Sequence, residues 1–442
     1  TVINHDTSRK ADVRIRNGKI HEVDTDPDVH VENTEVIDAA GKFVIPGGID
    51  PHVHMQLPTP AGPSSDDFFT GSRAALFGGN TTMIDFVTPR RGQSLADALL
   101  ARKEEAAKSL INVRLHVSPV EWRSTTEAEI RACIHDCGIR SFKCYMAYKN
   151  NIGLDDDDLR KVMKTVGRAG GIVLLHCEDG DAIDKLRSEY ARTSMPGPLA
   201  HCKSRPADLE AKAVKKAIQL SEDTGCPIYI VHVSSLLSLE LIAAAKAKGL
   251  PVYGETCPQY LLLNDSVYQK PFNEAVAYVM SPPLRKEQDN KALWAALANG
   301  MLSTTGTDHC PFTFEQKILG EKDFRKIPNG SGGTEHRMAL LYTHGVTGHK
   351  FSMNRFVEIT STNAAKIFGM YPQKGKIAEG SDADLMIWDP DATGTISAKT
   401  HHQNSDLNIY EGFDTRGAPE VVILGGRVIL EKGRLIESDS SQ

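Results

Sequence analysis

No stretch of this chain has the length and apolarity of a membrane span, and the start, "TVINHDTSRKADV", lacks the apolar segment that directs export. Long basic clusters are missing too. The formal charge is -6 and the pI near 6.2, so the chain has no general attraction for nucleic acid or an anionic membrane. Cysteine is sparse: eight residues, at 133, 137, 144, 177, 202, 226, 257 and 310, form no CxxC pair. That argues against a disulfide scaffold and for reduced, mostly buried thiols in a cytoplasmic protein. "CIHDC" (133–137) could offer a metal site, but the helical spacing of "EAEIRACIHDCGIR" favours core packing. Neither a GxGxxG after a first strand nor a Walker lysine loop is present, which leaves a doubly wound nucleotide-binding sheet without support.

What remains is the composition of a soluble globular protein, 40% hydrophobic and 24% charged, whose 442 residues suggest two or three domains or one large barrel plus a smaller unit. Both ends read as β-rich. "ADVRIRNGKIHEVD" alternates around an Asn-Gly hairpin signal, and "NTEVIDAAGKFVIPGG" has strand and turn character. "GSDADLMIWDPD" and "PEVVILGGRVILEKGRL" read as strands joined by glycine turns. Residues 1–47 and 373–442 are therefore expected to form one small β-sandwich-like domain. The chain lacks an initial methionine and starts inside what should be a hairpin, so part of its N-terminus is expected to be missing.

Between the ends, short apolar runs alternate with helical stretches such as "SLADALLARKEEAAKSL" and "ADLEAKAVKKAIQLSEDTG". Eight runs qualify as strands: "KFVIPGGID", "TTMIDFV", "NVRLHVS", "IRSFKCYM", "GIVLLHC", "PIYIVHV", "PVYGETC" and "MLSTTGTD". The pattern predicts an α/β chain whose residues 48–372 form a TIM-like (β/α)8 barrel with insertions.

The ends of those runs carry the chemistry. His52 and His54 close the first, Lys143 lies in the fourth, His176 and His232 close the fifth and sixth, and Asp308 closes the eighth. Residues two apart on a strand share a side, so His52 and His54 converge. In a barrel the C-terminal strand ends meet at one mouth. Four imidazoles and a carboxylate suit Zn, Mn, Fe, Co or Ni, and six groups exceed the needs of one four-coordinate ion, so two divalent metals, zinc by default, are expected. An ammonium there would repel cations. Lys143 is therefore read as a carbamate formed with carbon dioxide (N6-carboxylysine), its rival being a neutral lysine that forms a Schiff base.

The motifs "PGGIDPHVH", "SFKCYMAYK", "VLLHCEDG", "IYIVHVSS", "ETCPQYLLL", "SPPLR", "GTDHCPF" and "IPNGSGGTEHR" occur in this order. In them the chain resembles the cyclic amidohydrolases, in the dihydropyrimidinase and hydantoinase branch, over nearly its whole length. The resemblance implies that His52 and His54 bind the more buried metal and that His176 and His232 bind the other. Lys143 would bridge the two, while Asp308 would be both a ligand and a proton carrier. It further implies that Tyr148 donates to the developing oxyanion and that the chain around Ser281 and Asn329 holds the cyclic imide or ureide edge. On the residues alone, "SPP" and "PNG" read as turns. The implied reaction is ring opening to an N-carbamoyl amino acid, as in pyrimidine degradation, by a homotetramer.

Departures narrow the substrate. Related dihydroorotases carry an arginine where this chain has Gln56, which disfavours an acidic ring, and Thr59 stands where many relatives carry a bulky residue. An allantoinase-like hydrolase of another cyclic ureide and a non-catalytic dihydropyrimidinase-related scaffold are the alternatives. The scaffold relatives have lost metal ligands that are intact here. The aspartates of "GLDDDDLRK" read as a helix cap, His116 as lining the mouth or packing, and His309 as turned away from Asp308. Cys310, His401 and His402 receive no role.

Overall fold

The computed structural model describes residues 1–24, 35–149, 151–195 and 197–436. Eight parallel strands follow one another around a barrel: Gly48–Val53, Asn80–Val87, Asn112–Val117, Ser141–Tyr145, Ile172–His176, Ile228–Ile230, Val252–Thr256 and Thr304–Thr305. A parallel bridge between Val53 and His309, with His54 N–H donating to the His309 carbonyl at 2.8 Å, closes the ring. Alternation along the strands divides the two faces. Val173, Leu175, Ile228 and Ile230 pack outward into the large core beneath the helices, whereas Ile172, Leu174, Tyr229 and Val231 form a separate cluster inside the barrel.

The helices start where short polar side chains cap them. Ser94 opens Leu95–Ala106 by accepting from the Asp97 N–H, and Asp155 opens Asp156–Arg168 by accepting from the Asp158 N–H, with Asp156, Asp157 and Asp158 in the first turn. The acidic run is thus a helix start. In "CIHDC", Cys133 is buried in the helical core and Cys137 is exposed, so the two thiols do not share a site. All eight cysteines are free. No helix among the described residues is long and apolar enough to cross a membrane.

Both chain ends build a second sheet of seven strands in the order Arg434–Leu435, Arg427–Glu431, Asp414–Leu424, Leu385–Thr395, Phe43–Pro46, Val2–Ile3 and Ser8–Arg9. The hairpin Asp12–Arg16 and Lys19–Asp24 covers it, turning at Asn17 and Gly18 with φ of 52° and 74°, as a two-residue Asn-Gly turn requires. Ile20 of this hairpin is buried with Val44, Leu385, Ile387, Val421 and Ile423 of the larger sheet.

Two expectations need correction. "KFVIPGGID" is two strands, Phe43–Pro46 in the small sheet and Gly48–Val53 in the barrel. The switch falls at Gly47, where a Cβ would lie 2.1 Å from the Thr81 hydroxyl oxygen. Within "NTEVID", residues 33–34 lie outside the described residues; the stretch 35–39 forms no strand and leaves Val36 81% exposed.

The barrel and the small sheet meet at Asp384. Its carboxylate accepts from Asn112 Nδ2 at 2.8 Å and from the Gly425 N–H at 2.8 Å, and pairs with Lys374 Nζ; its carbonyl accepts from the Gly47 N–H at 3.0 Å. Asp384→Ala removes the carboxylate from Asn112, the Gly425 N–H and Lys374 while leaving the carbonyl that accepts from Gly47. Stability should fall by about 2 kcal/mol, read as a lower denaturation midpoint, and an unchanged midpoint would contradict this role.

Candidate active site

At the C-terminal mouth of the barrel, the six groups expected from the strand ends lie together. The period-two reading of the first strand holds: His52 and His54 face each other with their Nε2 atoms 3.2 Å apart, and Asp308 Oδ1 lies 3.1 Å from both. These three offer ligand atoms within 4.8 Å of one another. On the far side, His176 Nδ1 faces His232 Nε2 at 2.9 Å, and the His52 and His232 rings are 5.5 Å apart. Lys143 is 1% exposed, and its ammonium lies 5.0 Å from the Phe86 ring centre and 5.1 Å from that of Tyr145. Two of these positions, and Tyr148 with its ring 5.4 Å from that of His176, depart from simple strand geometry. His232 lies beyond its strand at φ 38°, Asp308 beyond the last strand at φ 54°, and Tyr148 at φ 58°. Left-handed backbone at non-glycine residues clusters at functional sites, where the surroundings hold it in place. Around Tyr148 the support is explicit, because its carbonyl accepts from the N–H groups of Asn151, Ile152 and Gly153 at 2.9, 3.1 and 2.9 Å.

Two buried carboxylates orient the imidazoles, and the sequence reading assigned neither. Glu255 Oε1 accepts from His52 Nδ1 at 2.8 Å, and Glu178 Oε2 accepts from His176 Nε2 at 2.8 Å. Each holds the proton on the outer ring nitrogen and aims the inner one at the cluster, the usual support for a metal-binding histidine. A signal existed for both: Glu178 stands two residues after His176, and Glu255 is a charge inside the apolar run "PVYGETC". Glu255 reaches under His52 because the neighbouring position is Gly306, where a Cβ would lie 2.6 Å from Glu255 Oε2. Glu178 in turn pairs with Arg205 at 2.5 Å, and Arg205 is 1% exposed with its guanidinium 5.6 Å over the Tyr148 ring. Arg205, paired with the orienter of His176 and lying over Tyr148, was likewise unassigned.

The electrostatics of the cluster call for a cation. Burial alone would discharge His52, yet Asp308 and Glu255 outweigh it and lift the ring to about 9. Burial keeps His54, His176 and His232 on the neutral side, the form that ligates a metal. Asp308 would be raised by its own burial, but His52 and His54 hold it well below the usual carboxylate range. Burial pulls the Lys143 ammonium down to about 8 despite Asp308 and Glu255. The downward shift favours the free amine, the species that adds carbon dioxide. The donor set fits divalent ions.

Ser281 and Asn329 lie in two loops. Ser281 Oγ and Asn329 Oδ1 are buried and have no hydrogen-bond partner among the described residues. His116 packs inside the barrel between Ser141 Oγ and the Pro51 carbonyl at 2.6 and 3.1 Å, and burial drives it down to about 3. His309 turns away from Asp308 and pairs with Asp66 at 2.9 Å. His402 pairs with Glu335 at 2.8 Å and His401 bonds the Ser405 carbonyl at 2.7 Å, away from the cluster.

Residues 43–429 match the amidohydrolase family model. The chain belongs to the amidohydrolase family. It is 43% identical to dihydropyrimidinase from Rattus norvegicus over 98% of this chain and 84% of that one. It is also 41% identical to D-hydantoinase from Geobacillus stearothermophilus over 99% and 93%. The crystal structure of dihydropyrimidinase from Brevibacillus agri superposes with a TM-score of 0.96 at 41% identity, covering 98% and 94% of the two chains.

Replacing a carboxylate that aims a ligand should weaken metal binding without removing a ligand. Glu255→Gln and Glu178→Gln should each lower metal affinity roughly 10- to 100-fold in competition with a chelator, and wild-type affinity in both would contradict the orienting role.

Proposed function

We propose that this protein is a metal-dependent hydrolase that opens a cyclic amide, a 5,6-dihydropyrimidine or a 5-substituted hydantoin, to an N-carbamoyl amino acid. The observation that carries the reading is the position of Asp308, 3.1 Å from both His52 and His54 beside a buried lysine. It occurs in a chain alike over its length to dihydropyrimidinase and D-hydantoinase.

In this reading His52, His54 and Asp308 would hold one divalent ion and His176 and His232 a second, zinc first among the candidates with Mn, Co, Fe and Ni behind it. Lys143, carboxylated by carbon dioxide, would supply a further anionic ligand to them. Bound metal supplies Lewis acidity, which polarises the ring carbonyl and makes water a nucleophile at neutral pH. As the water oxygen bonds to the carbonyl carbon, Asp308 accepts the water proton. It returns that proton to the ring nitrogen when the C–N bond breaks, so the leaving group departs neutral. Tyr148, half-buried beside Arg205, donates its hydroxyl proton in a hydrogen bond to the developing oxyanion. The main chain around Ser281 and Asn329 would hold the imide or ureide edge, a role consistent with the buried Ser281 Oγ and Asn329 Oδ1, which lack protein partners among the described residues. Gln56, where an acidic substrate would need a cation, leaves the preference with neutral rings.

The reading extends to a cytoplasmic homotetramer acting on a small molecule; a single-chain mass by light scattering would contradict the assembly.

The experiment is ring opening of dihydrouracil and a series of 5-substituted hydantoins by zinc-loaded protein, with and without prior chelation. Turnover should vanish on chelation and return with zinc, and Lys143→Ala should abolish it while depleting bound metal. Full turnover after complete metal removal, or two retained metals in an active Lys143→Ala protein, would sink the reading.

A further inference from the structure

Ser281 and Asn329 reside in separate loops, and two loops can present one recognition edge only if something fixes them to each other. Lys317 occupies that place. It lies on the short helix Phe314–Ile318, which Thr313 and Gln316 open with a capping box, and it is 1% exposed. Its ammonium donates to three main-chain carbonyls at 2.8 Å each: Val279, Pro328 and Gly330. Pro328 and Gly330 flank Asn329, and Val279 stands two residues before Ser281. The Gly330 N–H also donates to the Val279 carbonyl at 3.0 Å, so the loops are stitched together around the ammonium. From the same helix, Gln316 Nε2 donates to the carbonyls of Ala61 and Pro63 at 3.1 and 2.8 Å, which ties in the loop that carries Thr59.

All three ammonium protons are used, and none goes to a carboxylate. Burial pulls the Lys317 pKa down to about 7, with Cys310 opposing it, while the three carbonyls favour the protonated form. A buried cation solvated by peptide carbonyls is a costly way to join loops, and a leucine would fill the space more cheaply if packing were the only requirement. Three directed hydrogen bonds fix loop positions in a way that apolar contact does not.

We propose that Lys317 is a positioning residue for substrate recognition, its ammonium locking the Ser281 and Asn329 loops into a single edge of fixed spacing. The proposal rests on the reading that these two residues face the ring. It assigns Lys317 no contact with substrate; it acts through the two loops.

The test is steady-state kinetics of the metal-loaded full chain and its Lys317→Met and Lys317→Gln variants on dihydrouracil, with metal content and folded fraction measured alongside. Methionine keeps the length and removes every donor, whereas glutamine keeps two. KM should rise roughly tenfold or more in Lys317→Met and by less in Lys317→Gln, with metal per chain unchanged. A merely structural lysine would lower the active fraction, and so kcat per chain, while leaving KM as it was. KM within about twofold of the unaltered protein, in whichever variant folds, therefore overturns the role of Lys317. Should the unaltered protein open neither dihydrouracil nor any hydantoin, the functional reading itself fails and takes this proposal with it.

Discussion

The interior of the barrel at its mouth holds four buried imidazoles and a buried lysine beside an aspartate whose side chain is 16% exposed. A low-dielectric site cannot keep that set as it stands without cost, because an ammonium beside imidazoles gains little and a carboxylate there needs positive charge. Every other feature of the mouth answers to this constraint. Asp308 stays ionised only because His52 and His54 face it, and His52 is pulled up to about 9 by carboxylates on both of its nitrogens. Replacing the ring proton with a metal ion and the ammonium with an anionic carbamate, as proposed, would satisfy the same groups with charges of the right sign.

The support around the cluster is as specific as the cluster. Glu255 bonds His52 on one side and accepts from the Tyr229 hydroxyl at 2.8 Å on the other, which fixes it to the barrel interior. Asp50 accepts from Thr307 N–H and Oγ1 at 3.1 and 2.7 Å and from Thr334 Oγ1 at 2.9 Å, so the first strand grips the segment that carries Asp308. The result is a firmly held set of donor groups at or just beyond the strand ends, with Ser281 and Asn329 on loops, the arrangement by which barrels combine stable chemistry with variable specificity.

How much of this could be read from the chain follows from the range of the forces involved. Period-two alternation is local, so the convergence of His52 and His54 was legible, while Lys143 and His176 were picked out by their place in the order of strands. The Asn17-Gly18 turn and the Asp155 cap are also local and were legible. His232 and Asp308 were found by their place in the order of strands, yet both lie on left-handed residues beyond the hydrogen-bonded strand, a detail no pattern carries. The switch at Gly47 was missed because its cause is Thr81, a residue distant in sequence. Glu255 and Arg205 escaped for the same reason, since their partners His52 and Glu178 are distant in sequence, whereas Glu178 stands two residues from His176 and Lys317 reaches Pro328 and Gly330 in the next loop, pairings that no periodicity marks. Ser281 and Asn329 look like turn residues and were reached through resemblance alone.

The central claim is that Lys143 is the carbamate joining two metal ions. The most direct measurement is 13C NMR of protein equilibrated with 13C-bicarbonate and zinc, alongside metal analysis of the same sample. The account predicts one carbamate carbon resonance per chain, absent in Lys143→Ala, with two zinc ions bound. Two bound zinc ions with no carbamate signal, or a signal that survives the loss of Lys143, would contradict it.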